Sequence, residues 1–325
     1  MLAGGGEAAL IRRYFQGLTA CREGVVVGIG DDSALLESPA EGGLAVCCDT
    51  LVEGVHFPAD IPAEALGHRV LAVNLSDIAA VGGEPLWAVL SLSLPQAEPE
   101  WLEGFAEGFK RLADRYNVAL IGGDTTRGAL SVTVTVIGCV AHGQGLRRAG
   151  AHPGDEIWVT GTLGDAALGL ERWRQRAGLP LTGNAAVLAA RLFRPEPRVA
   201  AGRALRGVAT AAIDLSDGVA VDLSRLLEES GVGATLQLEA LPRSAAFIAE
   251  GGELAALLHG GDDYELCFTT SPLSAQQVER LAEQAGTTLT RIGAVESTPG
   301  LRGVDGAGNT CALQADGYDH FAAGV

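Results

Sequence analysis

Three neighbouring stretches decide the fold: LAVCCDT at 44–50, EALGHRVLAVNLSDIAAV at 64–81 and WAVLSLSL at 87–94. In the middle one, apolar residues fall at 66, 70, 71, 73, 75, 78 and 81, the spacing of one helix face. The first is a short apolar run ending in an aspartate and the third alternates from Trp87 to Leu94, so both read as strands. Working outward, residues 8–16 predict a short amphipathic helix, Val25–Val27 a strand, 101–116 a helix, and 118–121 and 131–140 two further strands. The last of these is carried by the alternation Val132-Thr-Val-Thr-Val136. Interleaved strands and helices mark an α/β chain.

A turn-rich stretch over 141–154, with Arg147, Arg148 and Pro153, puts a boundary near 145–150 and divides the chain into domains 1–147 and 148–325. A length of 325 residues suits two domains. In the second half, 156–160 predicts a strand and Gly161-Thr-Leu-Gly164 a turn leading into a helix through Leu170. A helical stretch over 185–206 is interrupted by Arg194-Pro-Glu-Pro197, and 208–213 reads as a strand. A helix over 217–229 ends at Gly231, with Ser216 or Asp217 as its N-cap.

Composition and charge narrow the function. The chain is 47% apolar and 19% charged, with a mean hydropathy of +0.22, which is the profile of a folded globular protein. Its 45 glycines are roughly twice ordinary usage and show no collagen-like period. A formal net charge of -17 has the wrong sign for a nucleic-acid or anionic-membrane partner. Lys110 is the one lysine, so no G-x-x-x-x-G-K-[ST] loop exists; any phosphate must be held by arginine, backbone N–H groups or metal ions. The cysteines at 21, 47, 48, 139, 267 and 311 form no C-x-x-C pair and no zinc spacing with the six histidines, which suits a reduced, cytoplasmic setting. No signal peptide or membrane-helix pattern occurs.

Six segments repeat one pattern, an apolar run or glycine pair delivering a carboxylate: Gly30-Asp-Asp32, Cys48-Asp49, Leu75-Ser-Asp77, Gly122-Gly-Asp124, Ile213-Asp-Leu-Ser-Asp217 and Gly260-Gly-Asp-Asp263. Taken singly, an aspartate at a strand end or helix start is an ordinary cap or turn former. Asp77 is different: it lies inside the 64–81 helix among apolar neighbours, with Asn74 on the same face. Asp214 and Asp217 either converge on one ion or Asp217 only caps its helix. Gathered together, such acids repel unless protonated or holding cations, and an all-oxygen set suits hard divalent ions such as Mg²⁺. His56 lies in a glycine-containing loop, where a lone histidine is ordinarily a surface residue, and Cys47 and Cys48 read as strand residues. Gly28-Ile-Gly30 lacks the third glycine of a dinucleotide fingerprint, and no H-E-x-x-H, G-x-S-x-G or EF-hand pattern occurs.

The ordered series GIGDDSALL, CDTLVEGVHF, NLSDIAAVGG, LIGGDTTRG, AIDLSDG, GGDDYELCF and GYDHF closely resembles the thiamine-monophosphate kinase family, within the superfamily that includes aminoimidazole ribonucleotide synthetase. The resemblance runs from about Arg12 to Phe321. It implies two mixed α/β domains of the aminoimidazole ribonucleotide synthetase-like kind and a homodimer built through the N-terminal halves. It also implies ATP-dependent phosphorylation of thiamine monophosphate with several Mg²⁺ ions. On this likeness Asp32, Asp49, Asp77, Asp124, Asp214 and Asp217 correspond to metal ligands, Gly123, Arg148 and Ser216 to nucleotide contacts, and His56, Asp262 and Tyr318 to substrate contacts. The chain departs from the family pattern in two respects: Cys47 and Cys48 stand where hydroxyl residues are common, and Asp262 replaces a glutamate.

No catalytic base is expected on this reading, because a phosphate monoester with a second pKa near ~6 is already largely a dianion at neutral pH. The alternatives are another ATP-dependent enzyme of the superfamily or a non-catalytic divalent-metal-binding protein. The reactive N-terminal Cys–Lys pairing or C-terminal cysteine expected of the first is missing here; the second predicts metal-dependent melting without ATP turnover.

Overall fold

The computed structural model of the chain describes residues 7–20, 22–30, 33–37, 39 and 42–315. Among them, helices and sheets mix in two compact units, one of Met1–Ile78 with Gly83–Gly143, the other of Ala79–Gly82 with Gln144–Val325. No helix in the described residues is long and apolar enough to cross a membrane.

The N-terminal unit contains α1 (Glu7–Tyr14), β1 (Val25–Val27), β2 (Leu35–Leu36), β3 (Gly43–Val52), α2 (Ala63–Ala80), β4 (Glu84–Leu94), α3 (Pro99–Tyr116), β5 (Ala119–Arg127) and β6 (Ser131–Val140). Its main sheet runs β3-β6-β4-β5. The β3–β6 and β6–β4 pairs are antiparallel, while β4 and β5 are parallel, joined by the crossover helix α3. The apolar face expected of 64–81 is realised: Leu66, Val70, Leu71, Leu75 and Ile78 are buried, as are Phe105, Phe109 and Leu112 of α3. Gly67 and Gly108 let α2 and α3 approach at backbone contact, since a Cβ at Gly108 would collide with the Glu64 carbonyl and one at Gly67 with that of Phe105. β5 runs six residues beyond the 118–121 expectation, because parallel pairing with β4 carries Gly122, Gly123 and Asp124 into the sheet.

The C-terminal unit contains β7 (Glu156–Thr160), α4 (Asp165–Gln175), α5 (Gly183–Phe193), α6 (Val199–Ala204), β8 (Ala211–Asp214), α7 (Val219–Ser230), β9 (Gly233–Gln237), a 3₁₀ turn (Leu238–Ala240), α8 (Ala245–Ala249), α9 (Leu254–His259), β10 (Leu266–Thr270), α10 (Ala275–Ala285), β11 (Leu289–Glu296), β12 (Gly300–Val304) and β13 (Thr310–Ala312). Its sheet runs β13-β12-β9-β11-β7-β10-β8, and Ile157, Val159, Ile213, Leu223, Leu236 and Phe247 form part of one buried cluster.

The interruption expected at Arg194-Pro-Glu-Pro197 is realised: the 185–206 stretch is two helices, α5 and α6, because prolines 195 and 197 cannot continue the first. Two local expectations are corrected. The strand expected from 208 starts at Ala211, since the amides of Val208 and Ala209 close the end of α6 by donating to the Leu205 carbonyl. Neither Ser216 nor Asp217 caps α7; its N-cap is Gly218, and no side chain caps from that position.

Candidate active site

In the N-terminal unit the site is built on β3 and α2. Alternation along β3 half-buries Cys47 and Asp49 and exposes Cys48 and Thr50. Asn74, fully buried on α2, meets the inward pair. Its Oδ1 accepts the Asp49 backbone N–H at 3.1 Å, its Nδ2 donates to the Val70 carbonyl at 3.0 Å, and the Cys47 thiol donates to its main-chain carbonyl at 3.2 Å. The thiol is thereby committed to the helix, and Cys48 faces away, so neither is placed as a metal ligand.

Asp77 lies three residues beyond Asn74, and its side chain shares a hydrogen bond with that of Asp49. Two carboxyls can share a hydrogen bond only through a proton, and once both are ionised, keeping them together calls for a cation. Burial pushes the Asp49 carboxyl up; the bond to Asp77 and the charge of His56 pull it down. His56 sits in the turn after β3, where Gly54 donates to the Phe57 carbonyl at 2.8 Å. Its Nδ1 accepts the Val52 N–H at 3.0 Å, leaving Nε2 as the nitrogen that carries a proton in the neutral ring.

Asp124 is exposed on β5, in register with Ser91 of β4. The preceding Gly123, at φ +153°, lies so close to the Leu90 carbonyl that a Cβ would collide with it. A cavity of about 490 Å³ opens beside these glycines, lined by Arg12, Gln16, Gly28, Gly30, Gly122 and Gly123 among others. Arg12, exposed on α1, puts a guanidinium beside glycine backbone, a combination suited to an anion. Sequence reasoning did not single it out, because only the fold brings 12 next to 122.

In the C-terminal unit the ladder between β8 and β10 continues past both strand ends. Leu215 N–H donates to the Glu265 carbonyl, Tyr264 N–H to Leu215 and Asp262 N–H to Ser216, each at 2.8 Å. This zipper joins the Ile213–Gly218 and Gly260–Glu265 segments, so Asp214, Ser216, Asp217 and Asp262 come from one pair of abutting loops. Gly261 permits the approach: a Cβ there would stand 2.5 Å from the Ser216 carbonyl. Asp262 and Tyr264 are both left-handed, at φ 69° and 50°, a conformation uncommon for residues with a Cβ. The Tyr264 hydroxyl donates to the Asp262 carboxylate at 3.2 Å.

Buried acids anchor this loop pair. Glu265 is fully buried and receives Arg198 through two nitrogens, both at 2.6 Å, Arg191 at 2.7 Å and the Thr160 hydroxyl at 2.6 Å. Asp263 accepts the Gly164 N–H with both oxygens at the start of α4. Burial, followed by repulsion from Glu265 and Asp165, holds its carboxyl well above the usual range, against the lowering effect of that N–H bond. On α7, Asp222 turns one oxygen back to accept the N–H groups of Asp217 (2.9 Å) and Gly218 (3.1 Å). Burial raises its carboxyl to about 7; the Asp217 N–H lowers it, and the Asp217 and Asp214 charges raise it further. Because Asp222 serves these amides, the Asp217 carboxylate has no capping duty.

The sequence-derived residues thus form two groups, each within its own unit. Arg148 stands apart from Ser216: its carbonyl accepts the Ser230 hydroxyl at the far end of α7, whose 12 residues span about 18 Å. Asp32 and Tyr318 lie outside the described residues. Among the described residues, no three His, Cys, Asp or Glu side chains sit at metal-binding spacing. Pairs of carboxylates fit a hard ion that keeps waters and takes its remaining ligands from substrate phosphates, as Mg²⁺ does. In the C-terminal group, the charges of Asp217 and Asp214 acting on Asp222 are the repulsion such an ion would relieve.

Residues 30–140 match the AIR synthase related protein, N-terminal domain, and 152–306 the corresponding C-terminal domain. The chain is 44% identical over 322 residues to a thiamine-monophosphate kinase of Salmonella typhimurium, covering 98% of each. It superimposes on the crystal structure of thiamine-monophosphate kinase from Stenotrophomonas maltophilia with a TM-score of 0.85 at 46% identity, covering 92% of this chain and 96% of that one. It is also similar to the solved structure of AaThiL complexed with AMPPCP and TMP, with a TM-score of 0.77 at 32% identity over 90% and 92% of the two chains. The chain therefore belongs to the thiamine-monophosphate kinase family.

Proposed function

We propose that this chain transfers the γ-phosphoryl group of ATP to thiamine monophosphate, giving thiamine diphosphate and ADP. The observation that carries this reading is its 44% identity, over nearly the full length of both chains, to a thiamine-monophosphate kinase. The AaThiL structure holding AMPPCP and TMP supports the same pair of substrates.

Asp49, Asp77 and Asp124 in one unit, Asp214 and Asp217 in the other, and Asp32 are the residues we assign to Mg²⁺. Bound there, the ions would supply positive charge between two mutually repelling phosphate-bearing substrates and to the transferring group. The chain's own residues bind and orient. Gly123 and Ser216 offer backbone and hydroxyl contacts to the nucleotide, with Arg12 beside Gly123. Arg148, at the other end of α7, does not grip the same phosphate as Ser216 within one chain. His56 presents Nε2 to the substrate, and the Asp262 carboxylate, steadied by Tyr264, suits the cationic thiazolium ring; Tyr318 completes the substrate contacts. No residue needs to remove a proton, since the acceptor is already an anion.

Residues 1–147 then form the metal, ATP and dimerisation domain, and 148–325 complete the nucleotide and substrate site. A second copy of the chain is the partner assigned to the outer face of β3, where Leu44 and Val46 are 58% and 62% exposed. The setting we assign is the cytoplasm, where ATP is available. Chromatography of a reaction holding purified protein, ATP, Mg²⁺ and thiamine monophosphate tests the reading. Thiamine diphosphate and ADP in equal amounts are expected; ADP without thiamine diphosphate, or no turnover, contradicts it.

A further inference from the structure

We propose that Arg225 is a resident cation that holds the Asp217 carboxylate and yields it to an incoming divalent ion, and so sets how tightly the C-terminal aspartates take metal. The inference rests on the reading of Asp217 as a metal ligand. Arg225 Nη1 donates to Asp217 Oδ2 at 2.6 Å and to Asp222 Oδ1 at 2.8 Å. These two carboxylates are not equivalent. The Asp222 side chain is 1% exposed, and its second oxygen is committed to the N–H groups of Asp217 and Gly218, so it cannot move away. The Asp217 side chain is 28% exposed and does not cap α7, whose N-cap is Gly218.

An ion coordinating Asp217 would face a guanidinium bonded to the same oxygen, and two cations sharing one carboxylate repel. Arg225 can give up Asp217 without being stranded, because Asp222 remains its partner and its own side chain is 43% exposed. Asp222 therefore acts as the parking place and Asp217 as the contested oxygen. In a chain with 40 acidic and 23 basic residues, a positive group placed on a carboxylate assigned to metal is a competitor, and removing it should strengthen ion binding.

Binding of Mn²⁺, used as the probe for Mg²⁺ and read from the paramagnetic resonance of the unbound ion, tests this on the full chain without nucleotide. R225Q should bind Mn²⁺ about two- to fivefold more tightly than the parent, the range expected for losing one half-exposed competing charge. R225K, which keeps the charge, should stay near the parent, and D217N should lose the affected site. If D217N loses a site while R225Q binds no more tightly than the parent, or more weakly, Arg225 only steadies Asp217 and the proposal is overturned. If D217N binds Mn²⁺ like the parent, Asp217 is not a ligand, and the metal reading fails with it.

Discussion

Asn74 shows how one buried side chain can define a site without touching a ligand. Both ends of its amide are spent, one on the Asp49 amide and one on the Val70 carbonyl, so α2 and β3 are locked where Asp77 and Asp49 meet. N74A removes the acceptor for a half-buried N–H group and should cost about 1–3 kcal/mol of stability. Turnover should fall as well, because Asp49 loses its fixed position. Thermal melting and steady-state rates check this; a variant with parental values for both would show that Asn74 is filler. At Asp263 the charge effect has a definite sign. Burial holds its folded pKa well above the ordinary carboxylate range, so the folded chain binds a proton that the unfolded chain has released. Stability from this group is therefore present below the unfolded pKa and is lost as pH rises through the folded one. D263N keeps an acceptor for Gly164 and removes the charge; it should melt above the parent at pH 8, with the gap closing towards pH 4. A gap independent of pH would contradict the buried-charge account.

Among the elements, α2 and α3 depend on glycine for their separation. G108A drives a Cβ into the Glu64 carbonyl, and should destabilise by about 1–3 kcal/mol or more through forced helix displacement, read as a lower melting temperature in denaturant or heat. Parental stability would mean the helices are not in contact there. The helices and strands with strong periodicity were legible from the letters: 64–81 by its apolar face, 131–140 by strict alternation. The start of α7 was not. Ser216 and Asp217 carry the chemistry of an N-cap, yet the cap is the backbone of Gly218, and the carboxylate that serves those amides arrives from Asp222, inside the helix. The extension of β5 through Gly122 and Gly123 was hidden for a related reason: strand pairing with β4, a tertiary effect, overrides the usual reading of a glycine pair as a turn. Segments bearing Asp49, Asp77, Asp214 and Asp262 were visible as a recurring pattern. Asn74 was legible as the residue sharing the helix face of Asp77, but the partners Asp222, Arg225 and Glu265 are defined by contacts across the fold, which spacing in the chain does not encode.

Across the whole molecule, a chain of net charge -17 with one lysine acts on two anionic substrates, and the means we propose is carboxylates offered to cations and glycine backbone offered to phosphate. The two units hold separate groups of acids, each built where a strand meets a helix and each backed by buried polar anchors. The chemistry requires no proton acceptor, because the attacking oxygen belongs to a phosphate that is already charged. That claim separates this chain from a kinase acting on an alcohol, where general-base assistance contributes roughly 10²- to 10⁴-fold. The most direct measurement is the turnover of thiamine monophosphate against that of unphosphorylated thiamine under saturating ATP and Mg²⁺. The hydroxyl acceptor should be slower by about 100-fold or more. Comparable rates on the two acceptors would contradict the account, since the chain would then be activating a hydroxyl as readily as it uses a phosphate that is already ionised.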